Sequence, residues 1–194
     1  MGMDKALLPV AGVPSYQHVA RKLSEVAEDI WVVRRPDQEP VPTSKWVMGV
    51  VHDLRPGEGP LAGMEAGLSG MNNDWGMVVP ADAPLIRSTL LHMLTSLVTI
   101  ESSHNLDIQA YVLQKRGQVY PLFGCYRQGV LQEISGLLDN GNRRVKDLLD
   151  QIHVRYVTDH EWHSEDPEEV SFWMMNTPEE YRKVCEYAEG AYKE

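Results

Sequence analysis

The chain has 194 residues, 43% hydrophobic and 24% charged, the balance of an ordinary folded protein rather than a disordered or fibrous one. That length suits a single domain, residues 1–194, with one substantial core. With 28 acidic against 18 basic residues the formal net charge is −10, which disfavours non-specific binding to nucleic acid or an anionic membrane but not a nucleotide carried with a cation.

In chain order, MGMDKALLPV lacks the long apolar run of a signal peptide, and no apolar stretch anywhere is long enough to span a bilayer, so a cytoplasmic location is expected. From Pro14 to Glu28, Tyr16, Val19, Ala20, Leu23, Val26 and Ala27 recur at helical spacing. Ile30–Val33 and Val47–Val51 read as short strands buried on both faces, separated by a proline-rich loop. RPGEGPLAG is a turn leading into a short helix with Leu61, Met64, Leu68 and Met71, and WGMVVPAD is a third strand. Ser88 is expected to cap a helix running from Thr89 to about Thr99. Strand and helix alternate, the rhythm of a parallel sheet covered on both sides.

After Asn105 the pattern changes, because IQAYVLQ and QVYPLFGCY are separated by a few residues around Gly117, a hairpin signal. Helices are expected in GVLQEISGLLDNG, RRVKDLLDQI and TPEEYRKVCEYAEGAYKE, and a strand in HVRYV. This half reads as an extension of the same sheet. Cys125 and Cys185 are far apart with no metal-ligand spacing and are expected as free thiols.

Ligands of open α/β sheets bind beyond the carboxyl ends of the strands, which directs attention to Asp53 after VMGVVH and to Asp82 in VVPADAPL. Either carboxylate suits Mg²⁺, which is commonly held by one or two carboxylates and substrate phosphate oxygens, and either equally suits capping a turn. Lys5 offers an ammonium to a triphosphate or is a surface lysine. GPLAG, Gly59 to Gly63, lets backbone approach a ligand in front of a helix N-terminus. Arg143 and Arg144 are either a phosphate-binding pair or a solvated helix start. No GxxxxGK[ST] loop, GxSxG elbow or HExxH motif is present.

Six segments in order, MGMDKALLPVAGVPSYQHV, GPLAGMEAGL, VVPADAPLI, YPLFGCY, DNGNRRVKDLL and NTPEEY, resemble the molybdenum cofactor guanylyltransferase family over nearly the whole chain. The resemblance implies a Rossmann-like, doubly wound, mostly parallel α/β sheet, and transfer of GMP from GTP to molybdopterin with Mg²⁺ and release of pyrophosphate. It places Lys5, Asp53 and Asp82 on GTP, Asp82 also on Mg²⁺, and Arg144 and Asn176 on the pterin side. It also implies other molybdenum cofactor assembly proteins as partners. Lys5 and Asp82 would carry the chemistry.

The family signature opens Leu-Ala-Gly-Gly-x-Ser-x-Arg-Met-Gly-x-Asp-Lys, whereas this sequence starts at its Met-Gly. The expectation is a truncated record of an active enzyme, short of its glycine loop and of the first strand, roughly 14 residues or more given ordinary strand lengths. Where some relatives have asparagine two places before Asn176, this chain has Met174. The competing readings are a cytidylyltransferase acting on molybdopterin or a sugar or polyol phosphate, and an inactive cofactor-binding partner.

Overall fold

The computed structural model describes residues 4–42, 44–102, 104 and 107–191. A 3₁₀ turn, Lys5–Leu7, leads to a hairpin of β1 (Pro9–Val10) and β2 (Val13–Pro14). Its two central residues, Ala11 and Gly12, both have positive φ (46° and 80°), the requirement of a tight primed turn. Next come α1 (Ser15–Leu23), β3 (Trp31–Arg34), β4 (Gly49–His52), α2 (Pro60–Ser69), β5 (Trp75–Val78) and α3 (Ser88–Glu101). The second half supplies β6 (Ala110–Lys115), β7 (Gln118–Arg127), α4 (Leu131–Asp139), α5 (Val145–Leu149), β8 (Val154–Val157), α6 (Asp159–Trp162) and α7 (Pro178–Ala191).

The expected α/β class is observed, with strand directions more mixed than expected. β3 and β4 form a parallel pair, while the larger sheet runs β5-β7-β6-β8, with β7 antiparallel to both neighbours and β8 parallel to β6. The β6–β7 hairpin is the one expected around Gly117, and it makes the second half a continuation of the sheet that holds β5.

Alternation along β6 builds two cores. Ala110 and Val112 join Leu61, Met64 and Leu68 of α2 and Ile134, Leu137 and Leu148 of α4 and α5. Tyr111 and Leu113 point the other way, onto Leu90, Leu91 and Leu94 of α3 and onto Trp162. Helices therefore cover both faces of the sheet. Each fully buried leucine contributes about 1.5–3 kcal/mol of transfer free energy.

Two local expectations need correction. The strands read as buried on both faces are not: Trp31, Met48 and Val50 are exposed, and β3 and β4 pair only with each other among the described residues. Ser88 is the first helical residue of α3 rather than its cap. The cap is Arg87, whose backbone N–H donates to the distant Ser171 hydroxyl at 3.0 Å, so tertiary structure supplies what local sequence does not. Among the described residues no helix is long and apolar enough to cross a membrane.

Candidate active site

Of the residues singled out from the sequence, the structure brings Lys5, Asp82 and Asn176 together. Lys5 lies in the 3₁₀ turn that Asp4 caps by accepting the Ala6 N–H at 3.1 Å. Ala6 and Leu8 are buried, so the turn is pinned by its apolar residues and Lys5 projects from it. The Lys5 Nζ reaches 2.6 Å from Asn176 Oδ1 and 3.5 Å from Asp82 Oδ2.

Asp82 follows β5 in the proline-flanked turn Pro80-Ala81-Asp82-Ala83-Pro84, with Ala83 fully buried beneath it. Its side chain is 19% exposed, and Oδ1 has no hydrogen-bond partner among the described residues. Asp82 contributes a backbone bond as well, since its carbonyl accepts the Met175 N–H at 3.3 Å. Met175 is fully buried with Leu8, Val10 and Leu85, and this anchor delivers Asn176 to Lys5 across 171 positions of sequence.

Asp53 follows β4, in the other sheet, and no described contact links it to Lys5, Asp82 or Asn176. Its N–H donates to the Arg34 carbonyl at 2.8 Å, continuing the β3–β4 register, and its buried carboxylate accepts the Arg55 N–H through Oδ1 at 2.8 Å. The turn-capping use of Asp53 is thus realised in the structure. Arg55 also pairs with Glu65 of α2 at 3.0 Å and with Asp139 of α4 at 2.7 Å, and the Asp139 carboxylate raises the guanidinium pKa further. The loop after β4 is thereby locked to two helices.

Arg144 lies apart. Its side chain is 81% exposed and pairs with Asp147, and no described contact links it to Lys5, Asp82 or Asn176. Arg143 stands 3.8 Å from Glu58, which brings the loop before α5 against the glycine turn that precedes α2. In that turn Gly59, at φ 79°, takes the left-handed region and caps α2, with Pro60 in its first turn.

Sequence reasoning passed over the charged pair of Arg34 and Asp4. Arg34, the last residue of β3, is 5% exposed and stands 2.6 Å from Asp4 Oδ2. It occupies a strand's carboxyl end just as Asp53 and Asp82 follow theirs, so the rule that pointed to those two applied to it equally.

Among the described residues no cluster of three or more histidine, cysteine or acidic side chains could cage a metal. The donor present is a single carboxylate with one oxygen open. That set fits a magnesium ion that arrives with phosphate oxygens and water completing its shell, and does not fit an all-protein cage.

An amine, a carboxylate and an amide converging at strand ends suit charge neutralisation of a phosphorylated ligand. Comparisons with known proteins identify the family. Residues 1–160 match the MobA-like NTP transferase domain. The chain belongs to that family. It is a nucleotidyltransferase that is 30% identical over 185 residues to a probable molybdenum cofactor guanylyltransferase of Bacillus cytotoxicus, with 94% of this chain and 88% of the relative covered. A molybdenum cofactor guanylyltransferase of Vibrio cholerae is 32% identical over 180 residues, covering 92% and 81%. The fold matches molybdopterin-guanine dinucleotide biosynthesis protein A of Archaeoglobus fulgidus at TM-score 0.78 and 21% identity, covering 97% and 92%. It also matches 2-C-methyl-D-erythritol 4-phosphate cytidylyltransferase of Thermus thermophilus at TM-score 0.68 and 15% identity, covering 95% and 94%. These two likenesses establish the nucleotidyltransferase fold.

Proposed function

We propose that this nucleotidyltransferase transfers GMP from GTP to molybdopterin, forming the guanine dinucleotide and releasing pyrophosphate. The observation that carries the reading is the meeting of Lys5, Asp82 and Asn176. In the reaction a phosphate oxygen of molybdopterin forms a bond to the α-phosphorus of GTP, and the bond from that phosphorus to the bridging oxygen of pyrophosphate breaks. The attacking phosphate is already largely ionised at neutral pH and needs no general base.

Asp82 is the residue that would hold a Mg²⁺ ion arriving with the nucleotide, and the ion would supply charge neutralisation. Lys5 moves its ammonium from Asp82 to the phosphates and offsets the charge that develops on departing pyrophosphate. Asn176 orients Lys5 and stands where the pterin substrate enters. Asp53 holds the loop after β4 at the nucleotide edge, and the exposed Arg144, paired with Asp147, binds on the pterin side. Positioning and electrostatics suffice for this chemistry.

Purified protein incubated with molybdopterin, Mg²⁺ and either labelled GTP or labelled CTP tests the reading. Incorporation of GMP is expected. Incorporation of CMP alone sinks the guanylyl assignment, and incorporation of neither sinks the transferase assignment for these substrates.

A further inference from the structure

Arg34 is the most deeply buried cation of the ion pairs among the described residues, with its side chain 4% exposed. Burial of a guanidinium is costly unless it is paired and hydrogen-bonded. Its Nη2 donates to the Glu39 carbonyl and stands 2.6 Å from Asp4 Oδ2, yet among the described residues Nε has no hydrogen-bond partner and Asp4 Oδ2 accepts no aligned bond. The contact is therefore one of charge more than of hydrogen-bond geometry. It joins the carboxyl end of β3 to the cap of the turn that carries Lys5.

Asp4 thus acts in two directions. Oδ1 caps Ala6 and fixes the turn locally, while Oδ2 ties the turn to Arg34. Beneath them Ala6 packs with Tyr16 and Val32, so the apolar contact and the ion pair hold the same two elements together.

We infer that Arg34 is a positioning residue, holding Lys5 in register with Asp82 and Asn176 through its ion pair with Asp4. The inference rests on the proposed role of Lys5 in nucleotidyl transfer. Arg34 touches neither substrate nor metal in this assignment. Its contribution is to keep the Lys5 ammonium where charge develops, which affects kcat more than the KM for GTP.

Breaking one partner alone leaves a buried unpaired charge and threatens the fold. The variant to use is therefore the double substitution Asp4→Ser with Arg34→Met, which removes both charges and keeps a capping hydroxyl for Ala6. Three measurements on the full chain decide the matter: thermal unfolding, GMP-transfer kinetics, and acetylation of Lys5 by limiting acetic anhydride, read by peptide mass spectrometry. With the fold retained, kcat is expected to fall roughly 10- to 100-fold, the cost of a misplacement of about 1 Å, while KM for GTP moves little and Lys5 acetylates faster. In a Lys5→Met background the same double substitution should lower kcat no further, and Arg34→Lys alone should restore part of the loss.

Unchanged kcat and unchanged Lys5 acetylation in a folded double variant would overturn the inference, as would an equal loss of kcat in the Lys5→Met background. If the parent protein transfers no GMP, the functional reading fails separately and acetylation decides the positioning role. Faster labelling of Lys5 then supports it and unchanged labelling overturns it. Should the double variant not fold, Arg34→Lys is read by the same acetylation, with equal labelling of parent and variant counting against the inference.

Discussion

At Asp53 and Asp82 two carboxylates with the same strand-end pedigree meet different local environments. Asp53 is buried and spends one oxygen on the Arg55 N–H, whereas Asp82 keeps an oxygen open beside Lys5. Asp53→Asn retains the capping acceptor, so its thermal stability is expected within about 1 kcal/mol of the parent, the scale of one hydrogen bond; a Tm close to the parent's with reduced GTP affinity supports a nucleotide role. Unchanged GTP affinity leaves Asp53 a turn residue only. The two thiols diverge in the same manner. Cys125 is fully buried on β7, and desolvation pushes its pKa up to about 12, while Cys185 is partly exposed. Thiolate is the reactive form, so native protein at pH 8 is expected to take up one equivalent of a thiol reagent, at Cys185, and two after denaturation. Two equivalents in the native state would contradict the buried position of Cys125.

Elements show where local sequence sufficed. Residues 60–69 and 178–191 carry helical spacing with proline in the first turn, and both became helices. The β1–β2 hairpin was not legible because its strands have two residues each, too few for alternation to register. α6 was missed for a similar reason. Its four residues depend on a capping box in which Glu161 accepts from the Thr158 N–H at 2.9 Å, and on Arg155, which donates to Glu161 at 2.5 Å. The Arg155 guanidinium, more than any other group, holds the Glu161 pKa down to about 2. A carboxylate depressed in the folded state contributes stability that is present above its ordinary value near 4.5 and is lost as pH falls towards 2. Thermal unfolding followed from pH 6 to pH 2.5 should therefore fall less steeply for Glu161→Gln than for the parent, and parallel curves would refute the linkage. β7 offers a steric test. A Cβ on Gly124 would stand 2.4 Å from the Tyr111 carbonyl oxygen, a backbone atom beside the β6 irregularity, so Gly124→Ala is expected to cost about 1–3 kcal/mol in denaturant unfolding. No loss of stability would mean that β6 and β7 separate more readily than their register suggests.

Across the molecule, the α/β class followed from the alternation of apolar runs, and the site from which residues end those runs. Asn176 was different: nothing in the spacing NTPEE places it beside Lys5, and only the family resemblance pointed there. Its partner is fixed by tertiary packing, through Met175 against Leu8 and Val10. The strand-end rule reached Arg34, but its pairing with Asp4 was not legible, because an arginine opening a polar loop reads as solvated until burial is known. The sheet is uneven in a way that composition could not foretell. β6 and β7 are paired on both sides, whereas β3 and β5 each have one partner among the described residues. Hydrogen exchange should accordingly be slowest in β6 and β7 and faster at the unpartnered amides of β3 and β5, and uniform protection across all four strands would contradict that pairing.

The most direct test is GMP transfer from GTP to molybdopterin in the presence of Mg²⁺, measured for the parent protein, Asp82→Ala and Lys5→Met, with circular dichroism to verify that each is folded. Transfer is expected from the parent, and a loss on the order of 10²-fold or more in each folded variant, the scale of removing one electrostatic contact to a developing charge. Transfer by folded Asp82→Ala or Lys5→Met at the parent's rate would contradict the assignment of this site.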